Sequence, residues 1–286
     1  MPADKLVLIS RYLNRNFRRL LKEKGKPHGA YRRFLDLRET DLNLPVRLFS
    51  GGARDGINKL EFVGVAALGL SQVENITKSI CDYLYLVRIF RIDWAVDILG
   101  VSAWELATKC RLANVQNSRV YRSRPGICFY PHHSFRKAIL IYERLKHLRS
   151  ERNPLAKVFR SDDLLTRCEV QFRGAGVPIR KFSEIRCYAD IDMLERVSFL
   201  QFCRLPATCK PQQILAAERL HALVGEVGLQ IASKRFSAAE WAQLNKKFFE
   251  PMSKEDIPDV RSLMKKSVVD WLEDRVRFPR CNSDLS

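Results

Sequence analysis

Long apolar runs are missing from this sequence. The first residues, MPADKLVLISRYLNRNFRRL, offer only Leu6–Ile9 before charges begin, and no later run approaches the ~20 apolar residues that a membrane-crossing helix needs. Neither a signal peptide nor a membrane span is expected, and no membrane among the partners. Paired cysteines are missing too. Cys81, Cys110, Cys128, Cys168, Cys187, Cys203, Cys209 and Cys281 are scattered, and no two form a C-x-x-C, so a zinc site of the usual spacing is not expected. Several fall on apolar faces, as Cys168 does between Thr166 and Val170, where a thiol packs as a small hydrophobe. Reduced, structural cysteines point to the cytoplasm. Gly51, Gly52 and Gly56 form neither G-x-G-x-x-G nor a phosphate loop, and no G-K-[ST] exists, which argues against P-loop nucleotide hydrolysis. Internal repeats and low-complexity tracts are also absent.

What the chain has in excess is positive charge. Lys and Arg number 50 against 32 Asp and Glu, a net +18 over 286 residues. With 46% hydrophobic residues the chain can still bury a core. Such an excess favours a polyanionic partner, and nucleic acid is the commonest one. A ribosome-associated or merely soluble basic protein is the plainer alternative.

The pattern along the chain predicts an α+β fold, a mostly antiparallel sheet with flanking helices and a helical C-terminal part. Residues 3–25 read as a basic amphipathic helix, with Leu6, Ile9, Leu13, Phe17 and Leu20 at helical spacing and Arg11, Arg15, Arg18 and Arg19 between. Lys59–Ala66 reads as a strand and Ser71–Tyr85 as a helix opened by a Ser71/Glu74 capping box. Arg88–Ile98 is the clearest strand: Ile92, Trp94, Val96 and Ile98 alternate with Arg91, Asp93, Ala95 and Asp97. Ser102 and Glu105 form a second capping box. Arg119–Ser123 and Ile127–Pro131 read as a hairpin about the turn at 124–126, followed by a strand at Arg136–Tyr142. After a charged linker at 149–163, Leu164–Arg173 is again a strand, and beyond Gly176 the pattern reads as helical. The segments expected are a basic N-terminal stretch (1–56), an α+β core (57–190) and a helical C-terminal region (191–286).

Three carboxylates stand out within this frame. Asp93 and Asp97 project to one side of their strand, with small Ala95 between them. Glu169 lies on the polar face of a second strand, between Arg167 and Arg173. If the two strands pair, Asp93, Asp97, Glu169, Arg91, Arg167 and Arg173 share one face. Carboxylates so crowded repel one another unless a cation sits among them, and Mg²⁺ or Mn²⁺ prefers such oxygens while keeping waters for phosphate. The arginines would meet phosphate bidentately. A solvated amphipathic strand with surface ion pairs is the plainer explanation. Tyr142 is the candidate nucleophile, because Arg144, Lys146, His147 and Arg149 follow at once and a phenol with a pKa near ~10 needs nearby cations to attack phosphorus. The plainer alternative is a packing tyrosine at a strand end. His132 and His133 are adjacent, so on a strand they would face opposite ways and not share an ion; they read as turn residues touching DNA phosphate, with Arg136 and Lys137 beside them. His147 reads as helix surface.

Three motifs in order, RIDWAVD at Arg91–Asp97, IYER at Ile141–Arg144 and RCEVQFR at Arg167–Arg173, resemble the rolling-circle replication initiators. The resemblance is to the phage gene II replication protein family, with the plasmid Rep_trans initiators as relatives, and spans roughly residues 58–190. It implies a metal-dependent, site-specific DNA nickase and strand transferase. By that likeness Tyr142 would form a 5′-phosphotyrosine at an origin, Asp93, Glu169 and Asp97 would hold Mg²⁺ or Mn²⁺, and Arg144 and Lys146 would be the catalytic cations. Arg144 stands where the family usually has lysine, with Lys146 close by. The implied partners are origin DNA, single-stranded or supercoiled, with a host helicase and a single-strand-binding protein. Two other classes compete: a non-catalytic basic DNA- or RNA-binding protein on the same fold, and a polymerase palm. A palm usually spaces its aspartates by two, and here the spacing is four.

Overall fold

A computed structural model describes residues 33–36, 46–50, 59–63, 68–80, 83–112, 118–122, 126–131, 136–195, 197–203, 208–252 and 259–275. Chain contacts separate Met1–Val87 with Val269–Ser286 from Arg88–Val268. These cuts fall elsewhere than the expected boundaries after residues 56 and 190. The expected helix at 3–25, with its four arginines, lies outside the described residues.

In the smaller unit, β1 (Arg33–Asp36), β2 (Val46–Ser50) and β3 (Lys59–Phe62) form an antiparallel meander. Helix α1 runs over Leu70–Ile80, and Leu84–Leu86 makes a separate 3₁₀ turn instead of extending it. Ser71 does not cap this helix as expected. Its amide donates to Asp274 Oδ1 at 3.0 Å and its hydroxyl to Asp274 Oδ2. The cap thus comes from a residue far along the chain, which local spacing could not reveal. Trp271 Nε1 donates to Leu68 O at 2.7 Å beside it.

The larger unit contains β4 (Arg91–Leu99), α2 (Ala103–Lys109), β5 (Cys110–Leu112), β6 (Ser118–Arg122), β7 (Gly126–Pro131), β8 (Lys137–Glu143), α3 (Arg144–Ser150) and β9 (Leu165–Arg173). Then follow β10 (Val197–Phe202), α4 (Pro211–Val227), α5 (Ala238–Phe248), β11 (Phe249–Pro251) and α6 (Val260–Leu272), within which the boundary between the units falls. Five strands form one antiparallel sheet in the order β4-β9-β8-β7-β6. Alternation decides its faces. Trp94, Ile98, Ile139, Ile141, Cys168, Val170 and Phe172 are all buried, and the register puts these even- and odd-numbered apolar positions opposite one another. Ser102 caps α2, its side chain accepting from Glu105 N at 3.0 Å, while the Glu105 side chain pairs with Lys109 instead of closing the expected box. Gly100, at φ 79°, turns the chain out of β4, and its amide reaches Leu164 O at 2.8 Å.

Beyond Gly176 the chain is not wholly helical. β10 pairs with β11 and with β5 to form a second, three-stranded antiparallel sheet. Short apolar segments such as VSFLQF do not distinguish strand from helix by periodicity, and the partner strand β5 lies far back in sequence. Leu220, Val224, Leu229, Trp241, Phe248 and Phe249 form the core beside this sheet. The α+β class with antiparallel sheets and several helices therefore stands, with strands extending past residue 190.

Candidate functional site

The site is built by β4, β9 and β8, whose pairing places one residue of each motif on the same sheet face. Asp93 stands opposite Gln171, Ala95 opposite Glu169, and Asp97 opposite Arg167. Across the other side of β9, Leu140 stands opposite Glu169 and Tyr142 opposite Arg167. Directly opposed residues in an antiparallel ladder share a face. Asp93, Asp97, Arg167, Glu169 and Tyr142 are therefore brought together on one side, with Asp93 and Glu169 on a diagonal about Ala95. Such diagonal neighbours sit ~7–8 Å apart.

Hydrogen bonds fix each side chain. Tyr142 OH donates to Glu169 Oε2 at 3.2 Å, and Gln171 Nε2 donates to Glu169 Oε1 at 2.6 Å. Arg173 Nη2 donates to Gln171 Oε1 at 2.7 Å. Arg167 grips Asp97 bidentately, Nε to Oδ1 at 2.6 Å and Nη2 to Oδ2 at 2.7 Å. Arg91 Nε spans the two oxygens of Asp93 at 2.8 and 2.9 Å. All six carboxylate oxygens thus already accept a hydrogen bond. Among the described residues no group of three or more His, Cys, Asp or Glu is placed to hold a metal ion.

The electrostatics follow from these neighbours. Burial pushes the Tyr142 phenol up to about 12, the Glu169 charge adds to the effect, and Arg167 and Arg144 oppose it. The phenol is thus held neutral, as a donor to Glu169. Burial works against the Arg167 guanidinium, but its bonds to Asp97 outweigh that and its pKa moves upward. Cys168, on the opposite face of β9, is pushed up to about 12 by burial and then by Glu169. It is an inert thiol.

The cations after Tyr142 do not act as one group. They lie on α3, which begins directly after β8. Arg144 is felt at the phenol, whereas Lys146 pairs with Glu143 and Arg149 is spent on the carbonyls of Arg160 and Ser161, at 2.7 and 3.4 Å. Lys137 is not brought to this face. In register it stands opposite Phe172, on the face away from Tyr142, where its ammonium lies over the Phe172 ring and donates to Glu195 O at 3.3 Å. Period-two alternation groups it with Ile139 and Ile141. Arg136 is exposed at the turn before β8, its carbonyl accepting Arg173 N at 3.0 Å. His132 and His133 lie outside the described residues.

Two contacts escaped the sequence. Gln171 is only 7% exposed although it lies on the polar face; its place two residues after Glu169 was the available signal. His147 is more than helix surface. Its ring meets the Tyr142 ring edge-on, 5.8 Å between centroids, while Nε2 lies 3.3 Å from Glu151. That contact requires the strand to break into a helix after Glu143, which alternation alone does not announce.

No protein-family model matches the chain, and no curated protein matches it as a relative. The resemblance to replication initiators rests on the three motifs and their order.

Proposed function

We propose that this protein is a DNA-nicking and strand-rejoining enzyme of the rolling-circle initiator kind, with Tyr142 as nucleophile. The observation that carries the proposal is the Tyr142–Glu169 hydrogen bond, flanked by Arg167 and Arg144 on a face that also holds Asp93. A nucleophile beside a base, with cations at hand for an anionic phosphoryl group, is the minimum that such chemistry requires. In the reaction the phenolic oxygen forms a bond to phosphorus and the phosphorus–O3′ bond breaks. The phenol proton passes to Glu169 Oε2, and O3′ takes a proton from solvent to leave as a hydroxyl. A 5′-phosphotyrosine and a free 3′ end result, and attack by a 3′ hydroxyl reverses the step.

Glu169 suits the proton-accepting role because its carboxylate is held from both sides, leaving one oxygen for the phenol. Arg144 and Arg167 oppose the rise in the phenol's pKa, so they favour the phenolate as it forms. The resemblance also implies Mg²⁺ or Mn²⁺. Asp93 and Glu169 are of the right donor type and on one face, and each carboxylate oxygen keeps a second lone pair beyond the bond it accepts. Asp93 would hold the ion together with Glu169 Oε1, which leaves Oε2 for the phenol proton, and the ion would supply charge withdrawal from the phosphoryl oxygens. Asp97 pairs with Arg167 and Asp93 with Arg91, so either aspartate would have to loosen its arginine to meet the ion. Origin DNA would be the substrate, held through Arg91, Arg136 and Arg173, with a host helicase and single-strand-binding protein as partners of the unwound product.

The test is incubation of the purified protein with supercoiled plasmid carrying its cognate origin and Mg²⁺. Nicked circles with protein covalently attached are expected. Two observations favour a second reading, a basic nucleic-acid-binding protein without chemistry: the phenol is held neutral, and each oxygen of Asp93, Asp97 and Glu169 has a partner. Salt-sensitive DNA binding with no adduct under any divalent metal would select it.

A further inference from the structure

We infer that Gln171 is a positioning residue: its side-chain amide turns Glu169 so that one carboxylate oxygen faces the Tyr142 phenol. The inference rests on the proposed role of Tyr142 and deepens it. Three bonds form a directed chain, Arg173 to Gln171 at 2.7 Å, Gln171 to Glu169 at 2.6 Å and Tyr142 to Glu169 at 3.2 Å.

Donor chemistry fixes the direction of that chain. A guanidinium only donates, and a carboxylate only accepts. Between Arg173 and Glu169, Gln171 must therefore present its oxygen to the arginine and its nitrogen to the glutamate. An amide free to flip would leave the carboxylate free to turn; here Arg173 locks one orientation. Glu169 Oε1 is then taken, and Oε2 is the oxygen left for the phenol. Strand geometry makes the arrangement possible. Glu169, Gln171 and Arg173 are alternate residues of β9 and share its polar face, and Tyr142 reaches Glu169 from the neighbouring strand.

Burial separates this from a surface ornament. Gln171 is 7% exposed, and a buried amide must satisfy both ends or bear the cost of desolvation. An apolar residue would fill the space without that cost. What an amide provides and a hydrocarbon does not is a donor aimed at Oε1. Groups that orient a reacting carboxylate in this manner matter through geometry, since small misplacement of a reacting pair slows a step severely.

The experiment compares Gln171→Met and Gln171→Glu with the full-length wild type on supercoiled plasmid carrying the cognate origin, with Mg²⁺. Methionine keeps the volume and removes both hydrogen bonds; glutamate keeps an acceptor for Arg173 and removes the donor to Glu169. Single-turnover formation of the protein–DNA adduct should fall about 10–100-fold in both, with the half-saturating plasmid concentration unchanged. A merely structural Gln171 would lower the melting temperature and leave the rate of the folded fraction intact, and that result overturns the inference. Should Gln171→Met not fold, Gln171→Glu decides. A second measurement separates this inference from the nicking proposal: a thermal-unfolding cycle of Gln171→Met, Tyr142→Phe and the double variant. Coupling through Glu169 makes the two losses in melting temperature non-additive. Non-additivity without any wild-type adduct would uphold the chain of bonds and overturn the nickase; strictly additive losses would overturn the chain.

Discussion

The Tyr142 phenol donates to Glu169 Oε2 across the β8–β9 ladder at 3.2 Å, so the candidate nucleophile and its proton acceptor are set by strand register and not by a mobile loop. Tyr142→Phe deletes one hydroxyl and keeps the ring, including its edge contact with His147. Nicking and the covalent 5′-linked adduct should both vanish, while DNA affinity remains. The stability change should stay near the ~1.5–3 kcal/mol of one hydrogen bond to a charged group. Gel mobility of the plasmid with and without protease reads the adduct. Normal nicking by Tyr142→Phe would remove Tyr142 from the mechanism.

Asp93 tests the metal. Asp93→Asn keeps the shape but removes the negative charge that a divalent ion needs, and it loosens the pairing with Arg91. Cleavage should fall sharply in Mg²⁺ and recover in part at high Mn²⁺. Chelation should stop the wild type and leave DNA binding in place. An enzyme that cleaves equally well in EDTA would dismiss Asp93 and Glu169 as ion ligands.

The strands that build this face were legible in the sequence, because period-two alternation is strongest where one face is buried. Arg88–Ile98 and Leu164–Arg173 read as amphipathic strands; their antiparallel pairing places Asp93 and Glu169 on one face, and β8 brings Tyr142 to it. Elsewhere the decisive partner lay far along the chain. The cap on α1 comes from Asp274, and β10 finds β5 across β6–β9, four strands of the five-stranded sheet. The alternation of Lys137 with Ile139 and Ile141 gives the face on which it lies, away from Tyr142.

Alkaline pH should destabilise the fold through four groups, Cys110 among them, whose thiol burial raises well above its ordinary value. Burial is the leading cause that pushes Tyr142, Tyr188 and Cys168 each up to about 12. A raised folded pKa means that the neutral form is favoured by folding. That stability is fully present below the unfolded values, ~10 for tyrosine and ~8.5 for cysteine, and is lost as pH rises toward 12. The urea midpoint should therefore decline across that window, and Tyr142→Phe should lessen the decline. Tyrosine absorbance that titrates fully near pH ~10 in the folded protein would contradict this.

Asp274 ties the end of α6 to the start of α1. It holds φ 57° while accepting from the Ser71 amide, and a Cβ on Gly69 would lie 2.0 Å from its Oδ1. Asp274→Ala removes the cap and keeps the strain, so it should cost about 1–2 kcal/mol. Asp274→Gly also loses the cap but relaxes the backbone, and should cost less. Gly69→Ala would push the Asp274 carboxylate aside and should cost about as much as losing the cap. Urea unfolding monitored at Trp271, whose indole bonds Leu68 O, reads all three. Equal costs for Ala and Gly at 274 would mean that the left-handed conformation carries no strain.

Charge makes the last prediction, and it separates two adjacent residues. If the polar face of the five-stranded sheet meets DNA, phosphate neutralisation should give a linear fall of log K with log salt, at ~0.9 per contact for duplex or ~0.7 for single strands. Arg136 is exposed at the turn before β8, so Arg136→Ala should weaken binding and lower the slope by about one contact. Lys137 faces the other way, over Phe172 and against Glu195 O. Lys137→Ala should therefore leave the slope unchanged while removing a cation–π contact from the opposite face. Fluorescence anisotropy with a labelled oligonucleotide across a salt series measures both variants on one footing. If Lys137→Ala lowers the slope and Arg136→Ala does not, DNA lies on the opposite face of the sheet from Tyr142, and the nicking proposal falls with it.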